Sequence, residues 1–351
     1  NHYANVYYAI KIEQNIVDKK NGEVKAIPCS LDRFQTVWPG IIKGDYICFT
    51  GSTSSGKTTL AKKIAVFDSI EYAIQLKLDL KILYFGLEES EEQFGYSVLS
   101  YLLKKNYGIR KNIIDFLCIK ELLPKDILDK IEEIQEEYNM YMSYIKYYDT
   151  ANPFGIYHDI REFAGQRGTF NKTKPTDQHW SSYTPNNPNE FIIVIVDHVS
   201  LLSTEEKHGN KLDLAMQDLS LYLRMFVNKK FNYTAIVIHQ QMSESEDLEH
   251  IKNKRWMPTL QGLSDNKRLG RDYLTVIGIG NPIRYGLKTV EGYDIPSFKG
   301  HLRFIEILKQ RYGMVPPEIL PIYIDGKCNW ILTAPYPHQS KELVDYINQL
   351  Y

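Results

Sequence analysis

The sequence predicts an α/β fold built on a mostly parallel central sheet. Short apolar runs rich in Val and Ile alternate with helical stretches, and these runs lack a polar–apolar alternation. Such runs are typical of strands that are buried on both faces of a parallel sheet. The repeated order of strand, helix and strand favours right-handed crossover connections. The predicted strands cover residues 46–50, 82–86, 191–197, 234–239 and 275–280.

Helical patterns fill the segments between these strands, and the C-terminal third has a different character. Apolar runs at 302–310, 322–325 and 328–332 are joined by short turns, including Gly326-Lys327. This spacing predicts antiparallel strands at the edge of the sheet, closed by a hairpin. The predicted helices cover 58–73, 91–105, 125–137, 153–164 and 211–228.

Two segments show no clear periodicity. Residues 166–190 are polar and rich in Pro, Asn and Thr, which predicts a long insertion loop. Residues 1–30 lack a core pattern and are interpreted as an N-terminal arm or linker. The last residues, 337–351, are expected to form a helical tail.

The composition excludes several classes of protein. The chain has 351 residues with 42 Lys+Arg and 43 Asp+Glu, a formal charge of −1. This balance argues against a histone-like or polybasic membrane-surface protein, although it permits a local basic groove. Four separated cysteines without a CxxC pair indicate a reduced, intracellular protein, and we expect a cytoplasmic one. The longest apolar run is far shorter than the ~20 residues of a membrane span, so no membrane partner is expected.

The most specific local pattern is the segment GSTSSGKT at 51–58. Its glycines let the backbone turn so that consecutive N–H groups point into one concavity, which suits phosphate oxygens. An apolar strand enters the segment and a helical stretch leaves it, so the positive end of the helix faces the same ligand. The lysine supplies a charge to the β- and γ-phosphates, and the threonine a hydroxyl to Mg²⁺. The residues predicted to bind ATP are Gly51, Ser52, Ser54, Ser55, Gly56, Lys57, Thr58 and Thr59.

Acidic residues at two further strand ends complete the predicted site. The run FIIVIVD ends in Asp197, whose carboxylate is predicted to hold Mg²⁺ beside Thr58. The run ILYFGLEE ends in Glu88 and Glu89. If its strand neighbours the phosphate loop, one of these residues faces the γ-phosphate as a general base, and the other caps the following helix. The apolar pattern does not choose between them.

Together these segments resemble the ATPase domain of DnaB-type hexameric replicative helicases, which has a RecA-like fold. The resemblance runs from about residue 31 to residue 333, which makes 31–336 a single RecA-like ATPase domain with the insertion 166–190. The segments that carry it are LDR at 31–33, WPG at 38–40, KGD at 43–45, the phosphate loop, FGLE at 85–88, VDH at 196–198, NK at 210–211, HQ at 239–240 and KQRYG at 309–313.

The resemblance implies roles for four residues. It favours Glu88 over Glu89 as the base and makes Gln240 a sensor of the γ-phosphate. It also implies that Lys309 and Arg311 reach the nucleotide of a neighbouring subunit, where an arginine finger stabilises developing charge. Without the resemblance, Gln240 is equally well explained as a polar strand end, and 309–313 as a solvated basic turn.

The resemblance also places a DNA-contact loop at 258–272, but the chemistry of this loop departs from the family. The family's Arg-Glu-Ser-Gly stretch falls on SDNK at 264–267, and its E-Q-D on GRD at 270–272. A neighbouring basic residue can replace the missing arginine on a phosphate, as can backbone N–H groups. The candidate DNA-binding residues are Lys211, Asn266, Lys267 and Arg268.

The function implied by the resemblance is an ATP-driven helicase or translocase that forms a hexameric ring and moves along single-stranded DNA. A primase or a helicase loader would be a further partner. Two alternatives keep the same ATPase fold: a RadA- or recombinase-like repair protein, and a nucleotide-stabilised ring that binds DNA without turnover. The absence of a four-cysteine zinc finger counts against the RadA type.

Overall fold

A central nine-stranded sheet organises the part of the chain that the computed structural model describes, residues 16–241, 256–263 and 267–351. We number its strands in chain order. They are β1 (Tyr46–Gly51), β2 (Leu80–Gly86), β3 (Ile145–Tyr148), β4 (Phe191–Asp197), β5 (Thr234–Gln240), β6 (Thr275–Gly280), β7 (Leu302–Lys309), β8 (Leu320–Asp325) and β9 (Trp330–Thr333).

The order of the strands across the sheet is β9-β8-β7-β6-β1-β5-β4-β2-β3. The six strands from β6 to β3 are parallel, whereas β7, β8 and β9 follow as antiparallel neighbours. The predicted fold class, a mostly parallel sheet with an antiparallel C-terminal edge, is therefore confirmed. Because β1 lies near the middle, the segment after it is flanked by the ends of other parallel strands.

Helices cover both faces of this sheet. Two of them continue through a π-helical turn, at Lys63–Asp68 and at Leu223–Asn228. The α-helices are Asp32–Val37, Lys57–Lys62, Ser69–Leu76, Glu91–Tyr107, Ile113–Phe116, Lys125–Glu133, Gln135–Ser143, Pro153–Arg167, Leu212–Tyr222, Lys267–Asp272 and Lys341–Gln349.

The core lies in two layers, one on each face of the sheet. One layer joins the helix after β1 and the helix Glu91–Tyr107 to one side of the strands. The other layer joins Pro153–Arg167 and Leu212–Tyr222 to the opposite side. Every residue of β1 and β4 is buried, which explains why their sequences are apolar without alternation.

The structure differs from the sequence-based expectations at three places. Strand β3 was not predicted, because its sequence IKYY is short and only half-buried at the sheet edge. The predicted helix 125–137 is interrupted at Ile134, which separates two helices. The predicted loop 166–190 contains a hairpin of Gly168–Asn171 and Ser182–Pro185, since its aromatic residues pack against Phe231.

Sequence-based expectations also concern the cysteines and membrane-spanning segments. All four cysteines are free. No helix among residues 16–241, 256–263 and 267–351 has the length and apolar character to cross a membrane.

Candidate nucleotide-binding site

The carboxyl ends of four parallel strands bring the predicted nucleotide residues to one edge of the sheet. Gly51 at the end of β1 pairs with Gln240 at the end of β5. Asp197 at the end of β4 pairs with Ile238 of β5 and with Gly86 of β2. The phosphate loop, Gln240, Asp197 and the Glu88-Glu89 pair therefore meet at what we call the carboxyl edge.

The phosphate loop has the backbone geometry that its glycines predict. Gly56 has a φ of 98°, in the left-handed region, and precedes the helix that begins at Lys57. A Cβ on Gly51 would approach Ser55 Oγ to 2.4 Å and the Ile279 carbonyl oxygen to 2.7 Å. Only glycine fits at these two positions, so the loop closes tightly against β6.

The side chains of the loop fit a phosphate ligand. Ser55 Oγ is buried and has no hydrogen-bond partner among the described residues. A buried hydroxyl without a partner costs free energy unless a ligand satisfies it. Lys57 is 92% buried at the start of the helix, where its charge adds to the helix dipole. These features suit a nucleotide phosphate chain.

The two predicted magnesium ligands lie next to each other. Thr58 Oγ1 donates to Asp197 Oδ1 at 3.3 Å, and the Tyr84 hydroxyl donates to Asp197 Oδ2 at 2.6 Å. Asp197 is buried, so these contacts fix the orientation of its carboxylate. A hydroxyl and a carboxylate are hard oxygen ligands of the type that Mg²⁺ prefers, so the pair fits a divalent cation.

The two acidic residues after β2 have different surroundings. The Lys62 ammonium lies 2.6 Å from Glu89 Oε1, and the Glu89 side chain is only 16% exposed. The Glu88 side chain is 59% exposed, and its Oε2 lies 3.7 Å from His198 Nε2. Glu89 is therefore engaged in a structural ion pair, whereas Glu88 faces the open side of the site.

The sequence predicts a general base after β2 if this strand neighbours the phosphate loop, but the two are not adjacent in the sheet. Strand β2 does not neighbour β1, because β5 and β4 lie between them. Glu89 instead reaches the helix that follows the phosphate loop and bonds to Lys62 there. This contact joins the end of β2 to the loop across two intervening strands.

Gln240 and its neighbours connect the phosphate loop to other elements. Gln240 Nε2 donates to Thr53 Oγ1 of the loop at 2.7 Å. The next residue, Gln241, is buried and donates from Nε2 to Thr50 Oγ1 at 2.9 Å and to the Thr259 carbonyl at 3.1 Å. Two consecutive glutamines therefore link the loop to the segment at 256–263.

His239 and His198 both lie in buried surroundings near this edge. Burial lowers the pKa of His239 to about 4, and its Nδ1 lies 3.1 Å from the Tyr273 hydroxyl. Burial also lowers the pKa of His198. Both rings are thus held neutral near pH 7, which fits a supporting role for them.

Lys309 and Arg311 lie at the opposite edge, which we call the amino edge. Val276 pairs with both Lys309 and Cys48, so Lys309 lies beside the start of β1. That position is about 10 Å from Gly51 along the strands and about 10 Å across two strands. Arg311 is exposed, and its charge acts on Asp45, just before β1.

The Lys309 side chain has partners within its own chain. Its ammonium donates to the carbonyl oxygens of Gly270 at 2.9 Å and Arg271 at 3.1 Å, at the C-terminal end of a helix. A cation is favourable at that end of a helix dipole. Burial lowers the pKa of Lys309.

Three of the candidate DNA-binding residues lie at the N-terminal ends of two helices. Asn266 lies outside the described residues, and Lys267 and Arg268 begin the helix Lys267–Asp272. Asp272 at its end bonds to Ser220 and Arg224. Lys211 is exposed at the start of the neighbouring helix, about 14 Å from Ser220 at 1.5 Å per residue.

Sequence reasoning missed several residues of this site. Tyr84 and Lys62 lie beside Asp197 and Glu89, and Arg303 and Arg284 contact the phosphate loop from outside. Arg303 could have been noticed from the sequence, since it is a charged residue near the start of a mostly apolar strand. Lys62 could also have been noticed, because it follows the phosphate loop on a helix that is expected to be buried. Tyr84 gave no such signal, since tyrosine is common in strands.

Searches of known proteins find similarity in structure alone. A scan of protein-family models and a search of curated proteins both find no match. Among solved structures, a DnaB-like replicative helicase, described with its interactions with primase, aligns with a TM-score of 0.65 at 15% identity. This chain is covered to 93% and spans 66% of that chain. The ATPase domain of G40P aligns with a TM-score of 0.64 at 14% identity, covering 94% of this chain and 99% of that domain. The predicted RecA-like fold is therefore confirmed.

Proposed function

We propose that this protein is an ATP-dependent DNA helicase or translocase that works as a ring of identical subunits. One observation carries the proposal. The carboxyl edge brings the phosphate loop, Asp197 and Glu88 together, whereas Arg311 lies at the amino edge, near Asp45 at the start of β1. The likeness in fold to helicase ATPase domains supports the same conclusion.

The groups at the carboxyl edge divide the work of ATP hydrolysis. Lys57 and the backbone N–H groups of the phosphate loop bind the phosphates, and Thr58 and Asp197 hold Mg²⁺. When bound, Mg²⁺ neutralises charge on the phosphate oxygens. Glu88 is the general base that accepts a proton from the attacking water, since its carboxylate is exposed beside the site. Gln240 contacts the loop through Thr53 and reports its state.

The position of Arg311 calls for a second subunit. We infer that the amino edge of one subunit faces the carboxyl edge of the next, so that Arg311 and Lys309 approach the neighbour's nucleotide. A repeated head-to-tail contact of this kind closes into a ring when the rotation per subunit permits it. A hexamer is the ring that the resemblance to DnaB-type helicases implies.

DNA binding in the centre of the ring is assigned to Lys211, Asn266, Lys267 and Arg268. Multiple copies of a few basic residues give a strongly positive pore even though the chain has a net charge of −1. Gln241 supports coupling between the nucleotide site and DNA, because it bonds to Thr50 before the phosphate loop and to Thr259 within the DNA-contact loop. A primase or a loader is a further proposed partner, in a cytoplasmic setting.

The deciding experiment is the unwinding of forked duplexes with 5′ or 3′ tails, combined with native mass measurement. We expect a hexamer that unwinds one of the two substrates with ATP, and Lys57→Ala as an inactive control. Open filaments without unwinding would instead identify a recombinase-like protein. A closed ring that binds DNA without ATP turnover would identify a scaffold.

The DNA-contact loop has a test of its own. The double variant Lys267→Ala/Arg268→Ala should reduce the dependence of DNA affinity on salt. Fewer counterions leave the DNA on binding when the protein neutralises fewer phosphates. Lys172→Ala in the insertion hairpin serves as the matched control. An unchanged salt slope in the double variant would remove these two residues from the DNA interface.

A further inference from the structure

Two arginines hold the phosphate loop from its outer side. Arg303, on β7, donates from Nε to the Ser55 carbonyl oxygen at 3.0 Å. Arg284, in the short helix Pro282–Tyr285 after β6, donates from Nη1 to the Thr53 carbonyl oxygen. The two contacts thus fall on alternate peptide groups of the loop.

The planarity of the peptide group gives these contacts a consequence for the inner side. In a trans peptide the carbonyl oxygen and the following N–H point in opposite directions. Holding the oxygens of Thr53 and Ser55 outward therefore turns the N–H groups of Ser54 and Gly56 away from the arginines. These two N–H groups can then donate to an anion in the concavity of the loop.

The surroundings of Arg303 indicate that its charge is balanced by something other than a carboxylate. Its Nη1 donates to the carbonyl oxygens of Gly300 at 2.5 Å and Leu302 at 3.0 Å. Within the described part of the chain, no acidic side chain forms an ion pair with it. Burial lowers the pKa of Arg303 to about 10. Its cationic form is thus partly desolvated, and an anion in the loop would stabilise it.

We propose that Arg303 and Arg284 are positioning residues that orient the phosphate loop for the diphosphate part of a nucleotide. This inference rests on the proposed function, since it assumes that the loop binds ATP. Neither arginine touches the ligand; both act through the loop carbonyls. Because the oriented N–H groups serve ADP and ATP alike, the arginines contribute to binding more than to the chemical step.

The test compares nucleotide affinity in arginine variants. Dissociation constants for ADP and ATP are measured by calorimetry on the full chain, together with KM and kcat. In Arg303→Gln we expect both dissociation constants and KM to rise roughly tenfold, the usual worth of a hydrogen bond from a charged donor, with a far smaller change in kcat. Arg303→Lys, which keeps the charge, should restore part of the affinity.

Two further variants separate positioning from stability. Arg110→Gln breaks an ion pair with Asp325 on β8 and touches no atom of the loop. It should lower the melting temperature and leave the affinity for ADP unchanged. Arg284→Ala, at an exposed site, should weaken ADP binding about threefold without loss of folding.

The results distinguish this inference from the proposed function. If the wild-type protein binds ADP and Arg303→Gln and Arg284→Ala bind it equally well, the positioning role is wrong while the ATPase proposal stands. If the wild-type protein binds no nucleotide, both are wrong. An affinity loss in Arg303→Gln no larger than that in Arg110→Gln would likewise overturn the positioning role.

Discussion

The two edges of the sheet are built in opposite ways. At the carboxyl edge, charged and polar groups are buried and bonded to one another, as in the contacts of Thr58, Tyr84 and Asp197. At the amino edge, Arg311 is exposed beside Asp45, and burial raises the pKa of Asp45 to about 6. One edge is therefore organised within a single chain, whereas the other exposes a charged group that we propose acts on a partner subunit.

Removing Arg311 should give the largest effect and tests the amino edge directly. An arginine finger contributes about 10³–10⁵ in rate, so Arg311→Ala should lose ATP turnover to that degree while ADP binding persists. Mixing this variant into wild-type protein should reduce turnover more steeply than dilution does. A linear decline of turnover with the fraction of variant would mean that Arg311 acts within its own chain. Lys172→Ala, which removes another exposed positive charge, is the control.

Replacing Glu88 tests the chemistry of the carboxyl edge. Glu88→Gln should lower kcat by about 10²–10⁴, because the amide cannot accept a proton from water, and ATP binding should remain. Single-turnover hydrolysis measures the loss in the chemical step, and nucleotide affinity measured on the same variant shows whether ATP binding is retained. Full activity in Glu88→Gln would show that another group is the base.

Replacing Glu89 tests whether its role is structural, in contrast to the catalytic role that we propose for Glu88. Glu89→Gln leaves the Lys62 ammonium buried without its counterion, which should cost about 3 kcal/mol of unfolding free energy. Chemical denaturation measures this loss, with Glu88→Gln as the matched control of nearly unchanged stability. A stable Glu89→Gln protein with no turnover would reverse the two assignments.

The smallest predicted effect concerns pH and the buried ring of His239. Its pKa falls from about 6.5 in the unfolded chain to about 4 in the folded one, so the unfolded state binds more protons between those values. The contribution of the neutral His239 ring to the free energy of unfolding is complete above pH 6.5 and is lost as pH falls toward 4. His239→Asn should therefore reduce the stability difference between pH 7 and pH 5 by about 2 kcal/mol.

Urea unfolding at the two pH values measures this effect. The control is His158→Asn, since the His158 side chain is 60% exposed and folding changes its surroundings little. An equal pH dependence in wild-type and His239→Asn protein would show that the ring is not the titrating group.

Local patterns predicted the carboxyl edge well. The phosphate loop follows from the order of residues 51–58, because a backbone that cradles phosphate needs glycine at fixed positions such as Gly56. The Asp197 strand follows from an apolar run that ends in an acid. Parallel strands all end at the same edge, so these local signals were sufficient to bring Gly51, Asp197 and Gln240 together.

The sequence by itself thus determined the class of fold and the phosphate loop, because both depend on short-range patterns. The tertiary structure alone decided which acid stays free, since Glu89 meets Lys62 only when the end of β2 reaches the helix after the loop. It also decided that Arg303 lies behind the loop and that Arg311 lies far from it. These facts depend on strand order and register, and no periodicity along the chain encodes either of them.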